Sequence, residues 1–130
     1  MGLNLIRVWG GGIAERPEFF EACDRLGIMV FQEFWMTGDN NGRWAGSYDW
    51  PLDHSVYVAA VRDTMLLLRN HPSRLFYDGG NELYPTSKNP PPALLDQMRA
   101  ALLEVGVHPS LLECFPSRIP PALFPCVCIA

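Results

Sequence analysis

The side chains best suited to chemistry fall in three short clusters: Arg7-Val8-Trp9, Gln32-Glu33-Phe34-Trp35 and Asn81-Glu82. Each closes a run rich in apolar residues. Each joins an aromatic ring or an amide to a group that carries charge. Acids and amides hydrogen-bond hydroxyl groups, and an indole face stacks on the apolar face of a sugar ring, so the set suits a polyhydroxylated ligand. Glu33 and Glu82 could serve together as a pair of carboxylates. Plainer roles stand beside these. Glu82 could be a solvated loop acid, and Glu33 could be structural, substrate-binding or salt-bridged. Arg7 could neutralise either acid or bind the ligand itself.

Other motifs exclude chemistry. Gly10-Gly11-Gly12 resembles a phosphate cradle only superficially, because no Lys-Ser/Thr follows it, as a P-loop requires. Cys114, Cys126 and Cys128 crowd together, with His108 upstream, but a C-x-C pair lacks the usual C-x2-C spacing of zinc sites. No metal and no cofactor is expected. Cys23 reads as a small buried residue on a helix.

The clusters need elements to hold them. Leu3 to Trp9 reads as a buried strand halted by three glycines. Pro17 opens a helix, with Glu18 favourable beside its N-terminus. Phe19, Cys23 and Leu26 recur at helical spacing, and Gly27 stops it. Ile28 to Phe34 is too continuously apolar for a half-exposed strand and fits one buried on both faces. Trp35 to Pro51 has the composition of a long loop. Asp53 can cap the next helix, whose apolar stripe is Val58, Val61, Met65 and Leu68. Asn70-His71-Pro72 ends it, and His54 and His71, which flank it, read as further caps. Leu75 to Tyr77 predicts a third strand, running into Asp78-Gly79-Gly80-Asn81-Glu82. Tyr84 to Pro92 forms another loop. Leu94, Leu95, Met98, Ala101, Leu102 and Val105 mark a last helix closed by Gly106.

The order β-α-β-α-β-α implies parallel βαβ units, compatible with a barrel segment or an open doubly wound sheet. In either, the three clusters converge at the carboxyl ends of the strands. Residues 107–130 hold five prolines and show no period, which predicts an irregular tail.

Composition sets the outer limits. Hydrophobic residues make up 48% of the 130 residues and charged residues 18%, as in a globular core. One domain is the most that such a length supports, and a whole (β/α)8 barrel needs roughly 250 residues. The net charge of -4, without a basic patch, argues against a nucleic-acid partner. No stretch approaches the roughly 20 apolar residues that span a bilayer, so no membrane partner is expected. The start of the chain lacks the pattern of a signal segment, and localisation is left open.

Several motifs in order resemble a known family. Asn4-Leu5-Ile6-Arg7-Val8-Trp9-Gly10-Gly11-Gly12 with Glu15-Arg16-Pro17-Glu18-Phe19 is similar to the second strand and helix of a glycoside hydrolase family 2 catalytic barrel. Gln32-Glu33-Phe34-Trp35-Met36-Thr37-Gly38-Asp39 resembles its third strand and loop. Pro51-Leu52-Asp53-His54, Arg69-Asn70-His71-Pro72-Ser73 and Gly79-Gly80-Asn81-Glu82 carry the likeness through the fourth. It covers roughly residues 3–105 and points to the endo-β-mannosidase and exo-β-glucosaminidase branch.

The resemblance implies a partial (β/α)8 TIM barrel over residues 1–106, about strands 2 to 4 with their helices, followed by the irregular tail over 107–130. Enzymes of the family are retaining: one carboxylic acid protonates the leaving oxygen and a second carboxylate attacks the anomeric carbon. The acid/base falls on Glu82. Asn81 would bind the hydroxyl next to the anomeric carbon, and Arg7 would support the catalytic carboxylates. Trp9, Trp35, Asp39 and Trp44 would line the site of a β-linked mannoside or glucosaminide. Trp35, Trp44 and Trp50 have loop packing as their alternative. The family's nucleophile is a glutamate on a later strand than these residues reach, so the expectation is a fragment, inactive alone. A non-catalytic carbohydrate-binding or interaction protein is the other reading. A third is a chain with no function of its own, whose open strand edges favour aggregation.

Overall fold

The computed structural model describes residues 2–37, 51–81, 83 and 91–107, and the backbone of 112–113 and 127–129. The expected alternation is present. It runs β1 (Leu5–Val8), α1 (Pro17–Leu26), β2 (Met29–Glu33), α2 (His54–Leu68), β3 (Arg74–Asp78) and α3 (Pro92–Glu104). Local chemistry sets the ends. Pro17 stands in the first turn of α1, where a missing N–H costs nothing. Gly27 closes it at φ 66°, a left-handed conformation that glycine adopts without a Cβ penalty. Asp53 caps α2 by accepting from the backbone N–H groups of Ser55 and Val56 at 2.9 and 3.1 Å.

Two expectations are corrected here. In α1 the buried residues are Phe20 and Cys23, with Phe19 packed at the margin, while Leu26 is 71% exposed. The apolar period locates the face only to within a residue, and packing selects Phe20. Nor does His71 cap α2. Its imidazole Nδ1–H donates to the Asp24 carboxylate at 2.6 Å, and the Ser73 N–H donates to the same carboxylate at 2.8 Å. The link ties the end of α1 to the turn before β3. Burial alone would raise the Asp24 carboxyl, but the bonds from Ser73 and His71 outweigh it and hold it below the ordinary carboxylate range.

All strands described are parallel, in the order β4-β3-β2-β1-β5. The edge strands β4 (Leu112–Glu113) and β5 (Val127–Ile129) come from the region expected to be irregular. Runs of two and three residues are too short to leave a period, so only the backbone pairing reveals them. Between β2 and β3 the register slips by one residue after Val30. Such a bulge re-aims the residues beyond it, and here it sets Asp78 opposite Glu33.

The three helices lie side by side, α2 against both α1 and α3. Val8, Val30 and Tyr77 from the strands, with Phe34 just past β2, pack with Phe20, Val61, Met65, Met98 and Leu102 from the helices. Tyr77 is fully buried, its hydroxyl donating to the Met65 carbonyl at 3.4 Å, and burial pushes its pKa up to about 12. Alternation along β1 sends Ile6 and Val8 to this core. Arg7 lies instead over Phe31, 5.6 Å from the ring centroid, and Phe31 in turn meets Phe76 at 4.4 Å.

Candidate functional site

Arg7, Glu33 and Asn81 come together although 26 and 74 residues separate Arg7 from the other two. Each stands near the carboxyl end of a parallel strand or in the turn that follows it. Glu33, the last residue of β2, is wholly buried. A buried carboxylate is costly unless its charge is met, and both oxygens here have donors. Arg7 Nε donates to Oε1 at 2.7 Å, and its Nη2 is ion-paired to the same oxygen. The Gly10 N–H donates to Oε2 at 2.8 Å. Arg7 also reaches the third strand, donating from Nη2 to Asn81 Oδ1 at 2.5 Å.

The backbone is as closely organised. Asn81 N–H donates to the Met36 carbonyl at 2.7 Å, and Thr37 and Asn81 form a parallel bridge that extends the pairing past the strand ends. Two glycines allow this approach. A Cβ on Gly80, which sits at φ 150°, would lie 2.4 Å from the Met36 carbonyl oxygen. A Cβ on Gly10 would lie 2.5 Å from that of Phe34. Asp78 accepts from the Gly80 N–H at 3.2 Å, which holds the turn ahead of Asn81.

Of the residues singled out in the sequence, Arg7, Glu33 and Asn81 thus form one cluster. Trp9 is half-buried beside Gly11, where a Cβ would overlap the indole ring. Trp35 packs edge-on against Phe34 and Tyr57, at 5.9 and 6.3 Å between ring centroids, so part of its surface belongs to the core. Glu82, Asp39, Trp44 and Trp50 lie outside the described residues, as do His108, Cys114 and Cys126. Among the described residues, no group of three His, Cys, Asp or Glu side chains could hold a metal ion, and no helix is long and apolar enough to cross a membrane. Sequence reasoning missed Gly10 as a partner of Glu33, because a backbone donor has no residue type to announce it. The glycine triplet was the only signal for it.

Comparisons with known proteins place this cluster in context. No family model matches the chain. The mannosylglycoprotein endo-beta-mannosidase of Lilium longiflorum is 52% identical over 87 residues, covering 65% of this chain and 9% of the lily enzyme. The crystal structure of beta-D-mannosidase from Dictyoglomus thermophilum superposes with a TM-score of 0.64 at 26% identity, over 89% of this chain and 14% of that one. The exo-chitosanase of Amycolatopsis orientalis shares the fold, with a TM-score of 0.66 at 24% identity over 88% of this chain and 13% of its own, and has been crystallised with PNP-beta-D-glucosamine. The chain thus spans about a tenth of the length of the relatives it matches. Over that part, it is homologous to glycoside hydrolase family 2 enzymes of the β-mannosidase, endo-β-mannosidase and exo-glucosaminidase group.

Proposed function

We propose that this chain carries one part of a retaining β-glycosidase site acting on β-linked mannosides or glucosaminides. The observation that carries the reading is the convergence of Arg7, Glu33 and Asn81 from three consecutive parallel strands. Residues 1–106 are a segment of a (β/α)8 barrel, about its second to fourth strands, and 107–130 are a tail appended to it. The consecutive order β1-β2-β3, with α2 packed against both α1 and α3, fits a barrel segment.

In this reading Glu82, next to Asn81, is the acid/base that protonates the leaving oxygen and later activates water. Asn81 binds the hydroxyl beside the anomeric carbon, and Arg7 supplies positive charge that favours ionised carboxylates nearby. Trp9, Trp35, Asp39 and Trp44 contribute to the sugar site. Glu33 is already engaged by Arg7 and Gly10, which argues against its acting as the second carboxylate of a minimal glycosidase.

Retaining hydrolysis needs a nucleophile as well, and in the family that glutamate stands on a later strand. The 130 residues alone are therefore expected to release no chromophore from aryl β-mannosides or β-glucosaminides. A version joined after residue 106 to the remaining strands of a homologous β-mannosidase is expected to release it, and Glu82→Gln in that version to lower the rate about 10²- to 10⁴-fold. An extended Glu82→Gln enzyme as active as its parent would refute the assignment of Glu82. Turnover by the short chain would refute the need for the missing strands.

A further inference from the structure

We infer that Glu33 is a positioning residue, setting through Arg7 which end of the Asn81 carboxamide meets a ligand. The inference deepens the sugar-binding reading of Asn81 and rests on it. Three facts support it. Glu33 is 0% exposed, and donors from β1 and the turn after it hold its two oxygens, Arg7 on Oε1 and the Gly10 N–H on Oε2. The carboxylate therefore has little rotational freedom. Arg7 meets one of its oxygens, Oε1, through both Nε and Nη2, which anchors that edge of the guanidinium to the carboxylate.

That anchored guanidinium then decides the orientation of Asn81. A guanidinium only donates, so the Asn81 atom 2.5 Å from Nη2 must be the carbonyl oxygen. An amide can otherwise present oxygen or nitrogen with nearly equal ease. Here the choice is made by the Glu33 charge acting through Arg7, and the backbone of Asn81 cannot shift to undo it, being bonded to Met36. Asn81 Nδ2 is left turned from the guanidinium, and the site offers the ligand a donor. It selects an acceptor there, such as a hydroxyl oxygen through its lone pair. Without Glu33 the guanidinium would lose its charged anchor, and the amide would sample both orientations more readily.

The test uses the 130-residue chain labelled with ¹⁵N and methyl β-mannoside as probe. Asn81→Asp identifies the Asn81 side-chain amide signals. In Glu33→Gln those signals are expected to move, and the Arg7 Nε–H to exchange with water at least tenfold faster. Methyl β-mannoside should bind at least tenfold more weakly, and Glu33→Asp, which keeps the charge, should recover part of each loss. If Glu33→Gln does not fold, Arg7→Lys, which cannot reach Glu33 and Asn81 through a rigid planar group, is expected to move the Asn81 signals in the same way. Asn81 signals unchanged in the folded variants would overturn the inference, whatever happens to affinity. Signals that move in a chain with no affinity for the mannoside would leave the positioning role standing and remove the sugar reading instead.

Discussion

Glu33 is the residue on which the cluster's stability turns. Removing one partner of a buried pair leaves the other without compensation, and Glu33→Ala would strip acceptors from both Arg7 and the Gly10 N–H. Arg7 keeps a quarter of its side chain in solvent, which softens the loss. A destabilisation of about 2–4 kcal/mol is expected from urea unfolding. Gly80 makes a different demand. Its φ of 150° and the 2.4 Å approach to the Met36 oxygen leave no room for a side chain. Gly80→Ala should cost about 1–3 kcal/mol and displace Asn81 from its bridge with Thr37. A Gly80→Ala chain with native stability would show that the turn relaxes freely. At this scale the sequence was only partly legible. Arg7 and Glu33 advertised a pairing by charge, and Asn81 stood in a motif. Gly10 and Gly80 act through atoms they lack, and composition alone could not distinguish them from ordinary turn glycines.

The elements were more legible, because each carries its own punctuation: Pro17 and Gly27 around α1, and Asp53 ahead of α2. What period could not give was how elements join. The Asp24–His71–Ser73 link crosses 47 and 49 residues, and nothing local marks it. It makes an acid-sensitive joint. Asp24 is held below the ordinary carboxylate range, so the folded chain binds its proton less tightly than the unfolded one. Its contribution is complete above the unfolded pKa, near 4, and is lost as pH falls through the lower folded value. The stability difference between wild type and Asp24→Asn should therefore shrink on acidification. Urea midpoints across that range check it, and a pH-independent difference would remove Asp24 from the account. The seam between α2 and α3 depends on ordinary packing. On α3, Leu102 is fully buried in the core, and Leu102→Ala should cost about 2–5 kcal/mol by the same measurement.

For the whole molecule, the two sheet edges matter most. Inner parallel strands expose a full row of unpaired backbone groups when they become edges. β5 covers β1 from Ile6 to Val8, and β4 covers β3 at Tyr77 and Asp78. Edges only two or three residues long are poor templates for another chain. A chain ending at residue 106 would uncover β1 and β3 and should form larger species at matched concentration, as read by light scattering. Equal size distributions would show that the short strands protect nothing. These pairings escaped the sequence because residues 107–130 are proline-rich and aperiodic, and sheet edges are recruited by hydrogen bonds that any residue other than proline can make.

The separation between Arg7 and Asn81 carries one more consequence, for the order of events in folding. Contacts 74 residues apart demand closure of a large loop before they return any energy, while the turns of α2 form locally and early. Arg7 meets Asn81 when β1, β2 and β3 are aligned in register, so the cluster is expected among the last contacts made. Substitutions within it should act chiefly on the rate of unfolding and leave the rate of folding nearly unchanged. The site would then report whether the sheet is complete, since a chain arrested with β1 undocked holds its helices but not the junction proposed to meet a ligand.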